Sequence, residues 1–105
     1  MIVTAWTNGS SGYGFKVRKE DLKNFDRNWG IVEIILPLDD GESIKAHANI
    51  DKDSFGKDCN ELISEDIKLW FERKGLLNWR NGNPPKFELR HIKENVFKVE
   101  RVITK

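Results

Sequence analysis

With Cys59 the only cysteine among 105 residues, no disulfide can form within the chain. A lone thiol fits a reducing cytoplasm, which is the expected location. The two histidines, His47 and His91, stand far apart, and with one thiol they do not supply the ligand spacing of a zinc site. No apolar run approaches the roughly 20 residues needed to span a bilayer. The longest, Ile31–Leu38, is broken by Glu33 and Pro37. The opening MIVTAWTNGSS has neither a basic leader nor a long apolar stretch, so a secretory signal is not expected. Net charge is only +1, so bulk electrostatics announces no anionic partner. The chain is therefore expected to need no membrane, no metal and no small-molecule cofactor.

What is present suits one globular domain over residues 1–105. Apolar residues make up 38% and charged residues 33%, a balance that allows a core and excludes disorder. Four tryptophans and six phenylalanines supply much of that core. The charges are unevenly spread. Residues 1–19 carry Lys16, Arg18 and Lys19 and no acid. Residues 20–66 carry thirteen acids against five bases, and residues 67–105 carry ten bases against four acids. A basic surface built from the two ends of the chain is compatible with this distribution.

Local patterns give the elements. Ile2–Thr7 is a strand candidate, and Asn8-Gly9-Ser10-Ser11-Gly12 is a turn. Tyr13–Arg18 alternates with period two, Tyr13, Phe15 and Val17 facing one way. Leu22 and Phe25 share a side of a short helix over 20–25. Trp29–Leu36 is β-branched and apolar, and Pro37 ends it. Asp39-Asp40-Gly41-Glu42 predicts a hairpin turn. Ser43–Ile50 then places Ile44, Ala46, Ala48 and Ile50 inward and Lys45, His47 and Asn49 outward. Residues 51–61 form a polar loop around Phe55-Gly56.

The spacing predicts a helix over 64–75, with Ser64 as N-cap, Glu65 and Asp66 at the positive end of the dipole, and Gly75 as the stop. Ile63, Ile67, Trp70 and Phe71 would be its core stripe. After Pro84-Pro85, Lys86–Ile92 and Val96–Ile103 form a hairpin, with Phe87, Leu89, Phe97 and Val99 inward. The fold class expected is α+β, a mostly antiparallel open barrel of six or seven strands with one long and one short helix.

Catalytic signatures fail on inspection. Gly9 and Gly14 have the gap of a phosphate loop, but Phe15-Lys16 follows where Lys-Ser or Lys-Thr is needed. Asp51-x-Asp53-x-Phe55-Gly56 starts like a calcium loop, yet Phe55 takes a ligand position and Glu61 falls one residue early for closure. Glu72-x-Lys74 resembles a metal-dependent nuclease pair, but it sits on the charged end of the helix without a matched upstream aspartate. An enzyme is not indicated.

Binding features are better represented. Asn8, Ser10 and Ser11 supply an amide and hydroxyls, and Tyr13, Lys16, Arg18 and Lys19 follow. Lys45, His47 and Asn49 share a strand face, with Lys52 and Lys57 beyond. Asn78-Trp79-Arg80-Asn81-Gly82-Asn83 adds an aromatic and an arginine. Amides and arginine suit base edges, whereas lysine, serine and backbone N–H groups suit phosphate.

The order of GFKVRKEDLKNF, IVEIILPLDDGESIKAHANI, SEDIKLWFERKGL and PPKFELRHIKENVFKVERV resembles the DNA-binding pseudobarrel of plant transcription factors and of restriction-endonuclease recognition domains. The resemblance covers most of the chain and is closest over 64–103. It implies two arms gripping the major groove, here Asn8–Lys19 and Lys45–Lys57, although Asp51, Asp53 and Asp58 crowd the second. The expected function is non-catalytic duplex DNA binding in a restriction, defence or regulatory system. Lys16, Arg18 and Lys19 would hold phosphate, and Asn8, Tyr13, His47, Asn49 and Arg80 would reach bases or sugars. Two alternatives stand beside it. One is a protein-interaction or accessory domain of a phage-defence or toxin–antitoxin system, using Trp29 or Trp79. The other is an RNA or modified-base reader with a pocket built from Trp6, Tyr13 and Trp29.

Overall fold

Seven strands and one α-helix succeed one another through residues 1–80 and 82–104, the part of the chain that the computed structural model describes. They are β1 (Ile2–Thr7), β2 (Tyr13–Val17), β3 (Ile31–Pro37), β4 (Ser43–Asn49), β5 (Glu61–Ile63), α1 (Glu65–Arg73), β6 (Lys86–Lys93) and β7 (Val96–Thr104). Two 3-10 turns, Lys19–Asn24 and Arg27–Trp29, fill the connection from β2 to β3. All seven strands join one sheet in the order β4-β3-β7-β6-β1-β2-β5, antiparallel throughout except for β3 beside β7. The sheet curls until its edge strands β4 and β5 approach each other, giving an α+β, nearly closed barrel.

Alternation decides what faces the interior. Phe15 and Val17 of β2, Val32, Ile34 and Leu36 of β3, and Ala46 and Ala48 of β4 are buried, while Lys16, Lys45, His47 and Asn49 are exposed. Such period-two patterning is expected of strands with one face on a core. Phe87, Leu89, Phe97 and Val99 complete the lining from the last hairpin. Glu94, at φ 43, and Asn95 make the tight turn of that hairpin.

Each open end of the barrel is closed by a different element. At one end α1 buries Ile67, Trp70 and Phe71, and Phe71 stacks on Phe87 with ring centroids 5.8 Å apart. Ser64 caps this helix by accepting a hydrogen bond from the Asp66 N–H at 3.1 Å, and Gly75 leaves it at φ 68. The Trp70 indole N–H donates to the Pro37 carbonyl at 2.8 Å, and Lys74 reaches Asp39 at 2.7 Å, so the helix spans the opening. At the other end Phe25 stacks on Phe97 at 4.9 Å and meets Phe55 at 6.1 Å. The 3-10 turns and residues 51–60 close that end.

Two local expectations need correction. Ile63 belongs to β5, not to the helix stripe, and is 39% exposed. It pairs with Gly14, and that ladder outcompetes another helical turn before Ser64. Trp29 ends a 3-10 turn, and β3 starts only at Ile31, because Gly30 turns the chain at φ 74. The short helix expected over 20–25 is present as the 3-10 turn Lys19–Asn24.

Candidate nucleic-acid interface

β2 is the ruler of this surface. Its first residue follows the loop Asn8–Gly12, and its last leads into Arg18 and Lys19. It is flanked by β1 and β5, and β4 lies beyond β5 across the gap in the barrel. The outward sides of β1, β2, β5 and β4 therefore adjoin on the outside of the molecule.

The loop at the α1 end is self-bonded. Asn8 Oδ1 accepts from Ser10 N–H at 2.9 Å, from Gly12 N–H at 3.1 Å and from the Ser10 hydroxyl at 3.1 Å. Its carbonyl is therefore committed to the turn, and only its amide NH2 and the Ser10 and Ser11 hydroxyls face solvent. Tyr13 turns inward, edge-on to Phe71 and Trp79 at 6.2 Å each.

The opposite end carries the cations. Lys16, Arg18 and Lys19, with Thr4, Val17, Asn60 and one acid, Glu20, line a concavity of about 360 Å³. The Asn60 amide holds the Val17 carbonyl, and Val17 N–H donates to the Asn60 carbonyl at 2.8 Å. These bonds tie residues 51–60 to the start of the first cationic segment. Lys52 and Lys57 ride on that loop. Asn49 Oδ1 accepts from Asp51 N–H at 2.8 Å and His47 Nε2 lies 3.2 Å from Glu33, so both side chains are partly committed. Lys45 is exposed higher on β4.

Thus the two predicted arms do not form one continuous patch. Asn8, Ser10, Ser11 and Tyr13 lie at the α1 end. Lys16, Arg18, Lys19, His47, Asn49, Lys52 and Lys57 gather toward the other. Arg80 lies near Trp79 at the α1 end, beside a concavity of about 410 Å³ shared with Asn78 and Asn83. Asn81 of the same predicted loop lies outside the described residues. Among the described residues Lys16, Arg18, Lys19, Lys45, Lys52, Lys57 and Arg80 enter no ion pair.

Sequence reasoning misses two basic residues. Lys23 and Arg27 lie with Lys57 around Phe25 and Phe55 in a shallow groove. Arg27 pairs with Asp53 at 3.3 Å, which removes one acid of the 51–58 cluster from direct opposition to a polyanion. The 3-10 turns bring these residues to the loop.

The tryptophans sort cleanly. Trp70 is buried, Trp79 packs on Tyr13 and Phe71, and Trp29 packs on Phe97 and His91. Trp29 and Tyr13 belong to opposite ends of the barrel, so Trp6, Tyr13 and Trp29 build no common pocket. Among the described residues no cluster of His, Cys, Asp or Glu is arranged to hold a metal, and no helix is long and apolar enough to cross a membrane. Comparison with known proteins adds no identity: no family model, curated protein or solved structure matches this chain.

Proposed function

We propose that this protein binds duplex DNA without catalysis, as the recognition module of a restriction, defence or regulatory system. One observation carries the reading. The loop Asn8–Gly12 and the cationic segment Lys16–Lys19 border one outward surface and are separated by Tyr13, Gly14 and Phe15 of β2, four steps along the strand or about 13 Å at roughly 3.3 Å per residue. That spacing is close to the width of a major groove, about 12 Å, so the two can rest on the phosphates that flank it. Lys16, Arg18 and Lys19 hold phosphate. The Asn8 amide NH2 and the Ser10 and Ser11 hydroxyls hold the other strand, and Lys45, His47 and Asn49 face the groove from β4.

The test is a gel shift with a random-sequence duplex at low salt. A complex that weakens with salt, by a slope of about 0.9 in log K per log salt for each phosphate contact, is expected. Absence of a shift at high micromolar protein overturns the reading. The protein-interaction alternative would use Trp29 and Trp79, which are half-buried and pack against the core with part of each ring left exposed.

A further inference from the structure

Trp6 is unlike the other three tryptophans. It is half-buried, but it does not pack against the core cluster, and among the described residues it makes no ring contact. Register explains why. Val3 and Ala5 point inward, so Thr4 and Trp6 point outward. Trp6 stands opposite Gly14, and Gly14 stands opposite Ile63. The three form one outward row across β1, β2 and β5.

The middle of that row must be glycine. A Cβ on Gly14 would lie 2.1 Å from the Leu62 carbonyl oxygen. Gly14 is nevertheless buried. The backbone of β5 covers it, with the Leu62 carbonyl carbon and the Ile63 Cα also within 3.0 Å of that Cβ. Trp6, half-buried, and Ile63, 39% exposed, stand on either side of Gly14 and put two apolar side chains on the outward face. In the next outward row stand Thr4, Lys16, Lys86 and Glu61, and beyond it lies the cationic concavity of Lys16, Arg18 and Lys19. An apolar patch bordered by these lysines suits a partner that is anionic at its rim and carries exposed methyl groups between its charges.

We propose that Trp6 and Ile63 contact the C5-methyl groups of thymine in the major groove. The inference rests on the duplex-binding reading above and makes it specific. In the major groove the pyrimidine methyl is the apolar recognition element, and it lies between the phosphate rows that Lys16–Lys19 and the Asn8–Gly12 loop would hold.

The experiment compares two duplexes of identical A·T-rich sequence, one with thymine and one with uracil at every such position, by gel shift at fixed salt. The wild type is expected to bind the thymine duplex more tightly, by about fourfold for each methyl contacted, the worth of one buried methyl group. Trp6→Ala and Ile63→Ala are expected to bind both duplexes alike while keeping the wild-type melting temperature within a few degrees. If the wild type binds both duplexes equally, the methyl contact is overturned and duplex binding stands. Discrimination that survives in both variants overturns the role of these two residues. A large drop in melting temperature for Ile63→Ala as well as Trp6→Ala makes the patch structural and overturns the inference. Failure of the wild type to bind either duplex overturns both readings together.

Discussion

Single atoms set the tolerance of this surface. Gly14 has no room for a methyl group against the Leu62 carbonyl, and the obstacle is backbone, which cannot swing aside. Gly14→Ala should cost about 3 kcal/mol, read as a lowered denaturant midpoint, through displacement of β5 from β2. Asn8→Ala removes one acceptor shared by three donors at an exposed turn. The loss should be about 1 kcal/mol, and hydrogen exchange should quicken at Ser10 and Gly12 while the core amides stay protected. The sequence marks Asn8 as a base-contacting candidate because amides suit that task. It does not show that the oxygen is already engaged, since that depends on the turn closing on Gly12. The outward setting of Lys16, Lys45, His47 and Asn49 is legible, because alternation alone decides it.

The helix and the last hairpin are legible for the same kind of reason. A serine cap, acids in the first turn and a terminal glycine each answer a local need of the backbone. Ser64→Ala should cost about 1 kcal/mol in thermal or chemical unfolding. Trp70→Ala should cost about 3–5 kcal/mol, since it empties a fully buried site and orphans the Pro37 carbonyl, whereas Trp70→Phe should restore most of the packing but not the hydrogen bond. β5 is not legible. Three residues, Glu61–Ile63, with one buried, carry no period of their own. Their strand character comes from β2, which offers a free edge, and so Ile63 reads from sequence as part of the wrong element. The second 3-10 turn, 27–29, escapes similarly, because it buries no residue completely, whereas the first lies where Leu22 and Phe25 mark a short helix.

Charge works over longer distances. The cationic end of the barrel also bears Asp51, Asp53 and Asp58, and among the described residues only Asp53 of these three has a base beside it. In the duplex-binding reading, Asp51→Asn with Asp58→Asn should tighten binding at low salt and leave its salt slope unchanged. Lys16→Ala with Arg18→Ala and Lys19→Ala should weaken binding and reduce the slope by about 0.9 for each phosphate no longer neutralised. Gel shifts across a salt series separate the two effects. How the sheet closes is only partly readable. Six or seven strands and an open barrel follow from pattern, but neighbour order does not, because pairing between distant segments leaves no mark in local periodicity.

The parallel pairing of β3 with β7 has its own consequence. The last strand bridges the β4–β3 hairpin and the β6-β1-β2-β5 half of the sheet. On the ribosome, the sheet hydrogen bonds that join the two halves cannot form until that segment has emerged. Closure must then be late and all at once, and any nascent chain stalled before residue 96 should remain open to proteases.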